Sequence, residues 1–413
     1  MRFLLFFFSL LLCSCQSRQV ARFSDPGTPT SPPGLYLTWF DDPSTTMVLR
    51  AISHEKKLDI YYQREGDAVL RHQGSKRKPL AGSDYFLHTF NLKDLKSDSK
   101  YQIGFAKDSL DFYFRTLAKN YKDGLRFIIG GDMYHDKEHL IVGNRLAAQQ
   151  NPDFVVLGGD LAYSLSKRGK KISVEDMQRW LDWLELWKAH MKGSDGRVFP
   201  LLAVIGNHEV IGKYRQRPAN ARGFYSLFMD NSKRSYRSID MADGLSFVLL
   251  DSDHSALVEG AQEKWLEKTL KQKADYPYCF AVYHVPAYPS FRALKNKRSS
   301  KIRKHWVPLF DKYAINAAFE HHDHNYKRSY PLLGGKIDPK GVLYIGDGGW
   351  GSSQKSGTAP ARWYIEKSQA IRNFVVIDLD EKAANVKAIG HEGQVIDEFS
   401  IMPRKVVSSV LEN

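Results

Sequence analysis

The sequence predicts an α/β protein with a small all-β module in front of it. Three observations predict this. A chain of 413 residues is too long for one small domain and can bury a full core in each of two. Between residues 34 and 117, short apolar runs recur at regular spacing, broken by polar turns. From residue 125 onward, apolar strand-like runs alternate with amphipathic helical stretches.

In the front module, Leu35-Tyr36-Leu37-Thr38-Trp39 and residues 46–52 are apolar runs separated by Asp41-Asp42-Pro43-Ser44. Residues 58–63, 88–92 and 112–116 supply further alternating strands, which suggests a β-sandwich. Farther along, residues 174–191 place Met177, Trp180, Leu181, Leu184, Trp187 and Met191 at helical spacing, a stripe read as core packing. Residues 260–274 form a second helix with Trp265, Leu266 and Leu270 on one face. Residues 374–379, 384–389 and 395–401 read as strands closing the sheet.

The ends of the chain differ from its middle. Arg2 precedes an apolar run at 3–12 that is interrupted only by Ser9 and is too short to span a bilayer. It leads into Leu12-Cys13-Ser14-Cys15, which resembles a bacterial lipobox. The expected division is a lipoprotein signal at 1–14 and a flexible tether at 15–33. The β-module follows at 34–117, the α/β domain at 120–403 and a tail at 404–413. That reading makes the protein secreted and anchored to a membrane by lipid on Cys15, facing the periplasm or the cell exterior. An ordinary cleaved signal peptide is the alternative. Cys279 is the one cysteine in the part expected to fold, so an intramolecular disulfide framework is excluded and a buried thiol is expected.

A formal net charge of +14 favours anionic partners and gives no specific nucleic-acid partner. The positive residues follow particular motifs. They are Lys167-Arg168-Gly169-Lys170-Lys171; Lys213, Arg215, Arg217 and Arg222; seven Lys or Arg between Arg292 and Lys304; and Lys327-Arg328. A ring of positive loops would concentrate an anionic substrate, and a patch for acidic lipids is the alternative for 292–304.

Five apolar runs end in polar, metal-competent residues. They lead into Gly131-Asp132, Gly159-Asp160-Leu161-Ala162-Tyr163, Gly206-Asn207-His208-Glu209, His284-Val285-Pro286 and His321-His322-Asp323-His324. Any one of these is an ordinary turn. Five in order, delivered by strand ends to one sheet edge, can build a compact site. His322 and His324 are two apart, so an extended backbone would point both the same way.

This ordered set resembles the calcineurin-like metallophosphoesterases and, within them, the purple acid phosphatases. The segment 88–101 resembles the end of a fibronectin type III domain, which matches the N-terminal domain of the larger members. The resemblance implies a four-layer αββα sandwich and a dinuclear metal centre. It implies that Asp132, Asp160, Tyr163 and His324 hold the first metal. Asp160 would bridge to a second metal completed by Asn207, His284 and His322. His208 matches a histidine that contacts the substrate phosphate, with Asn207 beside it, and Arg292 and Lys295 are further substrate-binding candidates. A phenolate ligand favours Fe(III) at the first site, with Zn, Mn or Fe(II) at the second. The implied reaction is hydrolysis of phosphate monoesters by a metal-held hydroxide, with His208 and Asp160 as catalytic residues. A phosphodiesterase or nucleotide hydrolase on the same site is the alternative, and a non-catalytic surface binding protein a more distant one.

The chain departs from the family pattern at Tyr134, at His321 before the last His-x-His, and at Phe291-Arg292-Ala293-Leu294-Lys295, where further histidines are usual. His135, His139, His305 and His321 are candidates for supporting roles.

Overall fold

Residues between 34 and 115 form two antiparallel four-stranded sheets in the computed structural model, which describes residues 32–168, 172–230, 234–346, 348–355 and 361–404. One sheet runs Gly34–Thr38, Met47–Ser53, Phe86–Leu92, Lys76–Pro79. The other runs Arg71–Gly74, Asp59–Arg64, Lys100–Gly104, Phe112–Arg115. After the strand Phe86–Leu92 the chain turns a corner: Leu95 and Tyr101 are buried, and the Lys96 N–H donates to Tyr101 Oη at 2.8 Å. The strands at 71–74 and 76–79 escape a sequence reading because Arg-His-Gln-Gly and Lys-Arg-Lys-Pro carry no apolar alternation. They lie at sheet edges, where exposed lysine and arginine discourage further pairing.

The remaining apolar runs build two larger sheets. The six-stranded sheet has the order Leu201–Ala203, Phe154–Leu157, Leu125–Gly130, Asn373–Leu379, Ala384–Gly390, Val395–Ile401. Its first three strands are parallel. The seven-stranded sheet has the order Arg237–Ala242, Leu245–Leu249, Tyr278–Tyr283, Ala317–Glu320, Leu343–Gly346, Tyr326–Ser329, Ile365–Gln369, with a parallel centre.

Strand periodicity sends alternate side chains to opposite faces. Phe127, Phe154, Phe247, Phe280 and Phe319 meet between the sheets, with ring centroids from 5.1 to 6.1 Å apart. Ile128, Val155 and Leu157 face the other way, toward the tryptophan-rich helix Met177–His190 and the helix Lys137–Gln149. On the far side, Val248, Cys279 and Ala281 pack with residues of the helices Ala261–Gln272, Lys297–His305 and Val307–Lys312. The result is an αββα sandwich. Cys279 is a buried free thiol in that outer layer, as expected.

The β-module is tied to this sandwich. Arg50 donates to the Met229 carbonyl at 2.9 Å and to the Leu227 carbonyl, satisfying acceptors left open where the helix Arg222–Phe228 ends. Among the described residues no helix is long and apolar enough to cross a membrane. The leader, Cys15, almost all of the tether, and residues 405–413 lie outside the described residues.

Candidate metal centre

Five strands end at one edge of the sandwich, three from the first sheet and two from the second. The backbone beyond them is unusual. Asp132, Asp160, Tyr163, His322 and His324 all have positive φ, from 49° to 73°. Non-glycine residues adopt this region at a cost of roughly 1–3 kcal/mol each, and such strain collects at functional sites. The His322–His324 geometry corrects a sequence expectation. These two side chains do not converge from an extended backbone. The strand stops at Glu320, and left-handed φ values of 73° and 58° turn both histidines toward the site. The His322 N–H donates to Asp132 Oδ2 at 2.8 Å, which fixes the turn.

The side chains fall into two adjoining groups. Tyr163 Oη lies 3.3 Å from Asp132 Oδ1 and 3.2 Å from His324 Nε2, and His324 Nε2 lies 3.0 Å from Asp132 Oδ1. In the second group, His284 Nε2 is 3.2 Å from Asn207 Oδ1, 3.1 Å from His322 Nδ1 and 3.2 Å from Asp160 Oδ2. Ligand atoms of Asp160, His284 and His322 all lie within 4.8 Å of one another. His208 stands at the rim, with its side chain one-third exposed. Its N–H donates to Asp160 Oδ1 at 2.7 Å, its Nε2 is 3.9 Å from Asp160 Oδ2, and its ring lies 4.4 Å from that of Tyr163.

These groups fit a pair of cations. Asp160 Oδ2 is fully buried and faces His284 Nε2 at 3.2 Å and His208 Nε2 at 3.9 Å, an arrangement that costs free energy unless a positive charge answers the carboxylate. Burial holds the Tyr163 phenol well above its usual range, and Asp132 and Asp160 push it further, so a phenolate there needs a cation. Burial pulls the His284 imidazole down, but the Asp160 and Asp132 carboxylates outweigh it and raise it to about 9. Hard oxygens with imidazole and phenol donors suit iron, zinc or manganese.

Close approach of the loops depends on glycine at two points. A Cβ on Gly206 would come within 2.3 Å of Asp160 N and Oδ1. A Cβ on Gly158 would come within 1.8 Å of the His321 ring, so His321 occupies space that this glycine leaves open. Glu209 locks the two loops together, accepting from the N–H groups of Gly206, Asp160 and Leu161, each at 2.8 Å. Burial and the Asp160 carboxylate push Glu209 up to about 8 against the pull of these amides.

Other histidine candidates separate by position. His135 packs edge-on to Tyr163 at 5.7 Å. His139 pairs with His391 at 5.3 Å, and His305 bonds Glu263 at 2.9 Å. The Tyr134 ring lies 4.0 Å beneath the Arg179 guanidinium, in the core cluster of the tryptophan-rich helix. A sequence reading missed His254. It is fully buried, stacked on Tyr214 at 5.1 Å and 5.6 Å from the His284 ring. Its flanking Asp251-Ser252-Asp253 gave no metal-site spacing to find it by.

The ring of positive loops needs correction. Lys327 is buried and paired to Glu320, and Arg328 is paired to Asp397 at 2.7 Å. Arg215 and Lys301 both reach Glu259, at 3.1 and 2.8 Å. The stretch 292–304 is not a loop throughout, because its second half is the helix Lys297–His305. Acidic partners from elsewhere in the chain, invisible to local sequence, answer the charge of Arg292 and Lys301. Arg292 braces the site: its Nη1 bonds Asp323 Oδ1 at 2.6 Å and the His322 carbonyl. Lys295 and Lys297 are exposed.

The family model for the calcineurin-like phosphoesterases matches residues 108–326, more than half of the chain. The chain belongs to the calcineurin-like phosphoesterase family. This phosphoesterase is 27% identical over 221 residues to Purple acid phosphatase 15 of Arabidopsis thaliana, covering 48% of the chain and 40% of that relative. It is 23% identical over 364 residues to Acid phosphatase type 7 of Mus musculus, covering 78% of the chain and 79% of the relative. In fold it is similar to purple acid phosphatase PPD1 from yellow lupin (Lupinus luteus), with a TM-score of 0.71 at 16% identity over 89% of this chain and 74% of that one. The class of the chain is therefore that of a metal-dependent phosphoester hydrolase, on a fold that implies a dinuclear centre.

Proposed function

We propose that the chain hydrolyses phosphate monoesters at a dinuclear centre. Asp132, Asp160, Tyr163 and His324 would hold Fe(III), and Asp160, Asn207, His284 and His322 would hold Zn, Mn or Fe(II). The observation that carries this is the convergence of seven side chains from five strand ends into two adjoining groups, with the buried Asp160 Oδ2 facing His284 Nε2 at 3.2 Å. When bound, two cations supply charge to clamp the phosphoryl oxygens and acidify an attacking water.

The chain's own residues do the rest. Asp160 keeps one oxygen on the His208 amide, and the carboxylate would help hold the cations. The His208 imidazole is held at the mouth by that amide bond and by the Tyr163 ring, where it can donate to an oxygen that gains charge during transfer. Asp132, Asp160, Asn207, His284, His322 and His324 are all buried, which strengthens each interaction among them. The chain spans 40% of one relative and 79% of another, and their names support acid phosphatase activity without naming a substrate here.

The test is metal analysis of the purified protein beside phosphate release from paired synthetic mono- and diesters. Two metals per chain, purple colour and faster monoester turnover support the reading. Faster diester turnover would move the assignment to a phosphodiesterase, and absence of both activities would refute it. We also propose that Cys15 carries the lipid that tethers the enzyme, on the strength of the leader sequence.

A further inference from the structure

The turn at 348–353 lies beyond the part of the chain matched to the family, yet it crosses the first group of side chains. The Trp350 N–H donates to the Gly131 carbonyl at 3.1 Å, and the Gly351 N–H to the Asp132 carbonyl at 3.3 Å. Ser352 Oγ is 2.8 Å from Tyr163 Oη. The Ser353 carbonyl is 2.9 Å from His324 Nδ1. One short turn therefore touches Asp132, Tyr163 and His324, which come from three different strand ends.

The fit is close. Gly348 has φ +38°, and a Cβ there would come within 2.9 Å of Asp132 Oδ2 and the His322 amide nitrogen. A Cβ on Gly351 would come within 2.1 Å of the Met133 carbonyl oxygen. Trp350, fully buried, donates its indole N–H to Asn144 Oδ1 at 3.0 Å and so fixes the turn to the helix Lys137–Gln149.

The hydrogen-bond directions follow from chemistry. A carbonyl only accepts, so His324 Nδ1 carries the proton, and the lone pair of Nε2 faces Tyr163 and Asp132. A phenolate also only accepts, so Ser352 must donate to Tyr163 when that oxygen is a ligand. Ser352 is fully buried and has this partner within reach.

We propose that the 348–353 turn is the positioning element of the first metal site, with the Ser352 hydroxyl donating to the Tyr163 oxygen and aiming it at the cation. This rests on the reading of Tyr163 as a ligand. Outer hydrogen-bond partners of metal ligands are worth about 10–100-fold in metal affinity, so Ser352→Ala should bind the first cation weaker by that factor. It should also leave the phenolate a stronger electron donor and move its iron charge-transfer band to longer wavelength. Ser352→Thr, which keeps the hydroxyl, should restore both.

The experiment loads wild-type, Ser352→Ala, Ser352→Thr and Tyr163→Phe protein with Fe(III) and dialyses each against graded chelator. Iron retention, the visible band and the gain in Tm on adding iron are read for each. A reduced iron-dependent gain in Tm distinguishes positioning from general loosening, which lowers Tm equally with and without metal. The inference is overturned if Ser352→Ala retains iron and band like wild type while Tyr163→Phe loses both, and the ligand reading then survives. An unmoved band with weaker retention would reduce the turn to packing and also overturn it. If Tyr163→Phe keeps its iron, or wild type takes up iron without the band, the ligand reading fails and this inference with it.

Discussion

Replacing Lys327 by Met should destabilise the protein through Glu320, not through lost surface charge. Glu320 and Lys327 are both buried and paired behind the site. The Glu320 carboxylate also accepts from Tyr283 Oη at 2.7 Å and from the Ala287 N–H at 2.6 Å. It therefore ties the chain after His284 to the strand that ends before His321. Removing one partner of a buried pair strands the other charge, at a cost of about 3–5 kcal/mol. With an unfolding entropy of about 2 cal/mol/K per residue, a chain of this size should lose about 5 °C in Tm. The second variant is Glu320→Gln with Lys327→Met. Its amide oxygen can still accept from Tyr283 and Ala287 and leaves no unpaired charge, so at least half the loss should return. Thermal melts of wild type, both single variants and the double variant make the measurement. A Tm for Lys327→Met within about 1 °C of wild type, or a double variant melting below it, would refute the argument that the buried charge is the cause.

Asp160→Asn should lose both metals and nearly all turnover, because on the proposed reading this carboxylate would bridge the two metals; retention of both metals would mean the bridge is misassigned. Cys15→Ser should move the protein from the membrane fraction to the soluble fraction with its specific activity intact, and continued membrane partitioning would reject the lipid anchor. Neutralising the exposed Lys295 and Lys297 together should lower kcat/KM for polyanionic esters more than for a singly phosphorylated neutral alcohol, with the difference shrinking as salt is added. Equal losses on both substrates at every salt concentration would assign these lysines to structure or to membrane contact.

Much of the fold is legible because its signals are local. Runs such as Phe154-Val155-Val156-Leu157 and Leu201-Leu202-Ala203 are buried strands whatever surrounds them, and each announces its end with glycine and a polar residue. The tryptophan stripe of Met177–His190 follows helical periodicity and packs as that periodicity implies. Where the pattern was absent, as in the basic strands at 71–79, the sequence offered nothing to read.

The sequence by itself determined which residue types stand at the strand ends, and so the kind of chemistry the site can perform. Composition also set the total positive charge. Only the tertiary structure decided how those residues meet. Left-handed backbone at His322 and His324, not strand alternation, aims the two imidazoles. Lys327 changed from a candidate substrate-attracting charge to half of a buried pair. Ser352, with no motif around it, became a neighbour of Tyr163 across 189 positions of sequence. The physical reason is the same in each case. Side-chain period and turn chemistry act over a few residues, whereas burial, charge pairing and hydrogen-bond satisfaction depend on which distant segments the folded chain brings within about 3 Å.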